Sequence, residues 1–107
     1  MLLRYEQAER IVRTYLEAMF GDKADILRER TIAKPYGWVF FYQSRKWIET
    51  RRTGDGIFGG GPIFVNRFEV DVRHITGAGT DLQEWLQAYE AALPARDLRP
   101  LPEVPAQ

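Results

Sequence analysis

The chain has 107 residues, with fifteen Lys and Arg balanced by fifteen Asp and Glu, one histidine and no cysteine. That length supports a single core, and zero net charge gives no field to draw the whole molecule onto nucleic acid or an anionic membrane. The absence of cysteine excludes disulfides and thiolate metal sites, and with neither a signal peptide nor a stretch of about 20 apolar residues the expected setting is the cytoplasm.

Ala8, Ile11, Val12, Tyr15, Leu16 and Met19 recur at helical spacing, which predicts a helix over residues 3–20 that packs by one face. Its far side is expected to carry the i,i+4 pairs Glu6–Arg10 and Glu9–Arg13, with Gly21 as a left-handed stop. In DILRERTIAKP, Leu27, Thr31 and Ala33 alternate with Arg28, Arg30 and Lys34, the pattern of an edge strand with one wet face. GWVFFYQ places Trp38, Phe40 and Tyr42 on one side and Val39 and Phe41 on the other, so this strand belongs inside the sheet. PIFVNR and VDVRHI read as a hairpin. A capping box at Thr80 or Asp81 opens a last helix, whose buried stripe is Leu82, Trp85, Leu86, Tyr89 and Leu93.

With no strand-helix-strand alternation, the expected class is α+β: an antiparallel sheet of about four strands with an N-terminal and a C-terminal helix packed on one face. Residues 1–93 form this one domain. Residues 94–107, PARDLRPLPEVPAQ, form a proline-rich extended tail.

Gly54-Asp55-Gly56-Ile57-Phe58-Gly59 fits the spacing of a dinucleotide fingerprint, but that site needs a helix opening behind its glycines to hold a pyrophosphate. Here Gly61 is followed by Pro62 and a β-branched run, and the Lys and Ser or Thr of a phosphate loop are missing too. The glycines are therefore read as a bend into the hairpin, and no cofactor is expected. Ser44 and His74 are the elements of a nucleophilic pair but lack the surrounding motif, and one histidine cannot hold zinc or iron. Asp55, Glu69 and Asp71 leave a two-carboxylate hydrolase as the weakest alternative.

RKWIETRR sets Arg45, Lys46, Arg51 and Arg52 around Trp47 against the single Glu49. Such a segment fits an acidic protein partner, or single-stranded nucleic acid as a minor alternative; the bland reading tucks Trp47 and Ile48 under the sheet edge. The candidate contacts are Arg45, Trp47, Arg51, Arg52, Asp55, Phe58 and, at the hairpin tip, Phe68.

The block Tyr36-Gly37-Trp38-Val39-Phe40-Phe41-Tyr42, the gap holding Trp47, the block Gly59-Gly60-Gly61-Pro62-Ile63-Phe64-Val65 and the final helix with Trp85 and Tyr89 resemble the YrhB-like domain family of bacterial polymorphic toxin systems, the immunity protein 35 family. The resemblance spans residues 5–90. It implies a non-enzymatic immunity protein, encoded beside a toxin, that neutralises its cognate toxin by binding it. Gly37, Trp38, Gly59, Gly61 and Pro62 are the shared positions and serve the fold. Arg67-Phe68-Glu69 departs from relatives that place a glycine in the hairpin turn. A chaperone-like or adaptor domain is the alternative, and a homodimer is an open alternative assembly.

Overall fold

In the computed structural model, residues 3–56, 61–68, 71–75 and 81–93 are described. Helix α1 runs Tyr5–Phe20 and stops at Gly21 as expected, with a positive φ of 64° that suits glycine, although its ψ of −132° is not that of a left-handed helical cap. The expected edge strand is two pieces: β1, Ala24–Ile26, and β2, Ile32–Lys34, separated by a 3-10 turn at Arg28–Arg30. GWVFFYQ is also divided. β3 covers Gly37–Phe40 and β4 covers Tyr42–Ser44, with Phe41 between them. β4 runs directly into a short helix α2, Arg45–Thr50; then come β5, Ile63–Asn66, β6, Val72–His74, and α3, Leu82–Ala91.

The four-stranded sheet has the order β2-β3-β5-β6, and β1 pairs with β4 in a separate two-stranded ladder; every pairing is antiparallel. β3 is thus interior and β2 an edge, as their patterns require. The break at Phe41 marks a change of partner: β3 bonds to β2 and β5, whereas β4 bonds to β1, and the Phe41 carbonyl accepts from the Leu27 amide at 2.7 Å. Phe64 pairs with Arg73 in the expected β5–β6 hairpin.

The predicted α+β class holds, with a helix before the strands and one after them. The two helices, however, lie on opposite faces of the sheet. Trp38, Phe40, Ile63 and Val65 pack with Tyr5, Ala8, Val12 and Leu16 of α1. Val39 and Phe64, which point the other way, pack with Tyr36, Ile75 and Leu86, under Leu82, Trp85 and Tyr89 of α3 and Leu93 just beyond it. The reason is the pleat: alternate residues of β3 and β5 are apolar on both sides, so each side needs a cover. Asp81 caps α3 by accepting from the Gln83 amide at 2.8 Å.

Gly37 is fixed by close approach, since a Cβ there would collide with the Val65 carbonyl oxygen on the paired strand. Trp38 is 1% exposed beneath Tyr5, with the Arg67 guanidinium 5.6 Å from its ring centroid. Gly61 has a φ of 71°, and the chain enters β5 two residues later, so Gly61 and Pro62 form a bend with no helix behind it. Gly59, Phe58, Glu69 and the tail at 94–107 lie outside the described residues.

Glu9 corrects the view of α1. Expected on the wet side, it is 6% exposed. Its carboxylate accepts from Arg28 Nε and Nη2 at 3.0 and 2.8 Å and from Arg13 Nη2 at 3.1 Å, and Arg13 also pairs with Asp25. Burial pushes the Glu9 carboxyl up, but the hydrogen bonds from Arg28 and Arg13 outweigh it and hold it at about 2. On the other face, burial and the Tyr36 hydroxyl's bond to Glu90, at 2.9 Å, push the Tyr36 phenol up.

Candidate functional site

Five of the candidate contacts converge where β4 passes into α2. The Ser44 hydroxyl accepts from the Trp47 amide at 2.9 Å, capping α2, and donates to the Asp55 carbonyl. The six-residue helix completes fewer than two turns before Arg51 adopts φ 60° and ψ 22°, its amide bonding to the Trp47 carbonyl at 2.7 Å. A 3-10 turn at Thr53–Asp55 then folds the chain back. Asp55 points into this knob: its carboxylate accepts from the Thr50 hydroxyl at 2.6 Å and meets Lys46 Nζ at 3.6 Å. Asp55 therefore acts as a brace that fixes the shape its neighbours present.

The outer surface consists of Arg45, Lys46, Arg51 and Arg52, all exposed, with Trp47 and Ile48 half-buried between them. The Arg51 guanidinium lies over the Trp47 ring, 4.5 Å from its centroid, a distance at which the ring's negative face attracts the cation. Trp47 and Ile48 are thus partly tucked in, as the bland reading holds, while the ring still carries an exposed guanidinium. The Arg45 amide donates to the Lys23 carbonyl at 2.8 Å, so the loop after α1 is tied to the knob and adds a further exposed cation. A groove lined by Asp22, Lys23, Ser44, Arg45, Lys46 and Asp55 runs alongside, and a second between α1 and β1 shares Asp22 and Arg45 with it.

Phe68 lies elsewhere. Gly37 pairs with Asn66 and Phe40 with Ile63, so the turn holding Phe68 is at the start of β3 and α2 beyond its end. Phe68 is half-buried against the α3-side core, and its amide is held by Asn66 Oδ1 at 2.7 Å.

Among the described residues, neither Ser44 with His74 nor Asp55 with Asp71 is brought together. His74 faces the Tyr15 hydroxyl through Nδ1 at 3.4 Å, and through Nε2 it faces the Tyr42 hydroxyl at 3.1 Å and the Gly61 carbonyl at 3.2 Å. It fastens the glycine bend to α1 and β4, while Ser44 serves the knob. Asp71 pairs with Arg73 at 3.0 Å beside the Phe68 turn, at the opposite end of the β3–β5 pair from Asp55. Sequence reasoning missed Lys23 and the tyrosine frame of His74. Both depend on contacts between distant segments and leave no local signal.

A model of the family Immunity protein 35 matches residues 6–92, which takes in every described element of the fold except the first residue of α1. The chain belongs to the immunity protein 35 family. Neither a curated protein nor a solved structure matches this immunity protein. No helix among the described residues is long and apolar enough to cross a membrane.

Proposed function

We propose that this immunity protein, of the YrhB-like kind in a polymorphic toxin system, binds a cognate toxin encoded by the adjacent gene and neutralises it by covering the active cleft with the α2 knob. Arg51 carries the reading. Among the described residues it is the one non-glycine residue with positive φ. Glycine or asparagine would occupy that left-handed position at lower cost, so an arginine there is explained by what its side chain does. The side chain stacks on Trp47 at the exposed face of the knob, and arginine and tryptophan are the residue types that most often anchor protein interfaces. Asp55, Ser44 and Thr50 hold that face in one shape before a partner arrives, which lowers the ordering cost of binding. No bond-making step is involved.

Co-expression with the adjacent toxin, followed by pull-down and growth measurement, tests the proposal. The expected result is a stable complex and restored growth with the wild type, and loss of both with Trp47→Ala/Arg51→Ala. No complex and no rescue with the wild type would reject it.

A further inference from the structure

We infer that the toxin surface covered by the α2 knob is acidic, a cleft or rim lined by carboxylates; the inference rests on the toxin-binding reading above. Although the whole chain is electrically neutral, its charges are unevenly placed. Lys23, Arg45, Lys46, Arg51 and Arg52 are all exposed on adjoining segments: the Arg45 amide is bonded to the Lys23 carbonyl, Arg51 is the C-cap of the same short helix and Arg52 follows it. Lys46 is offset by Asp55. The other four have no carboxylate within ion-pair distance among the described residues; Arg4, Arg10, Arg30 and Arg67 share that lack but stand on separate elements, whereas Arg13, Arg28, Lys34 and Arg73 are paired.

In the free protein this imbalance costs little, since water solvates each cation. The situation changes when a partner excludes that water. A guanidinium buried without a counter-ion loses its hydration and gains nothing in return, so an interface centred on Arg51 and Trp47 is favourable only if the partner brings anionic groups. Asp22, Glu49 and Glu17, which shares the α1–β1 groove with Arg45, are exposed in the same region, while Asp25 in that groove is taken by Arg13; the three satisfy only part of the patch and none lies within ion-pair distance of Arg51 or Arg52. The geometry suits carboxylates on a folded protein. A continuous polyphosphate track would meet Asp22 and Glu49 as repulsive interruptions, and a neutral domain offers little counterion release to compensate. By the same logic the covered surface is not a cationic, phosphate-binding cleft.

The test measures binding of the full chain to the purified catalytic domain of the adjacent toxin at low and high NaCl, and to a 20-nucleotide single-stranded DNA. Arg51→Glu/Arg52→Glu and, separately, Arg45→Glu are compared with Arg10→Glu, an exposed change on α1, with thermal melts confirming that each variant folds. The expected result is affinity that falls as salt rises, a loss of about 10- to 100-fold for both knob variants expressed largely in the association rate, and a change under about 2-fold for Arg10→Glu. A salt-insensitive toxin complex that the knob variants form as well as the wild type would overturn the acidic-surface inference and leave toxin binding standing. No wild-type complex at any salt would overturn toxin binding itself. DNA binding that the knob substitutions abolish would overturn the choice of a protein partner.

Discussion

Glu9 and Asp55 are both carboxylates held by nearby cations, yet they organise different things. Around Glu9, the guanidinia of Arg13 and Arg28 turn onto a buried acceptor and join α1 to the segment after β1. Around Asp55, the carboxylate turns inward to Thr50 and Lys46, and Arg45, Arg51 and Arg52 are left in water. Arginine-rich segments of similar composition thus complete the fold in one place and leave their cations in water in the other. What separates them is whether the chain supplies the counter-ion, and this decides whether a substitution should be read as lost stability or as lost binding.

The largest effect is expected beneath the Glu9 side, in the sheet itself. Trp38→Ala should cost about 3–5 kcal/mol in denaturant unfolding, because the pleat and Gly37 leave no way to close the cavity. A loss under about 1 kcal/mol would remove Trp38 from the core.

Glu9→Ala should follow at about 2–3 kcal/mol, reduced from the cost of breaking a fully buried pair because Arg13 and Arg28 retain 43% and 51% side-chain exposure. Acid should have a related effect. Because the folded-state value is lowered from 4.5 to about 2, the contribution of Glu9 is fully present above pH 4.5 and is lost as pH falls toward 2. The wild-type melting temperature should therefore drop further across that window than that of Glu9→Gln. Equal drops would assign acid sensitivity to other groups.

On the knob, Asp55→Ala should cost only about 1 kcal/mol globally, while amide exchange across residues 45–52 becomes faster than in the rest of the molecule. Unchanged exchange there would mean that Ser44 suffices to hold the knob. The smallest stability effect is expected at Arg51. Arg51→Gly should leave stability within about 0.5 kcal/mol, since glycine takes the left-handed position freely and the stacking on Trp47 is modest, yet complex formation with the toxin should weaken. A loss of more than about 1 kcal/mol would place Arg51 with Glu9, as a residue of the fold, and erase the contrast between the two regions.

Much of the scaffold was legible. The α1 stripe, the two-sided apolar pattern of Trp38, Val39, Phe40 and Phe41, the hairpin and the Asp81 cap all report on neighbours within a few residues. The knob was legible as a composition, with Trp47 among Arg45, Arg51 and Arg52, though not as a shape. Asp55 read as a candidate contact, and its turn toward Thr50 left no local signal.

The sequence by itself determined where the chain turns, which strand faces are apolar and that the basic segment follows the central strands, because periodicity and backbone sterics act over short distances. Tertiary structure decided the rest: the opposite faces taken by α1 and α3, the change of partner at Phe41, the burial of Glu9 against Arg28 nineteen residues away and the joining of Lys23 to Arg45. Each of these is a choice of partner across space, and the energy of an ion pair or a ladder depends on which segments meet and how much water they exclude.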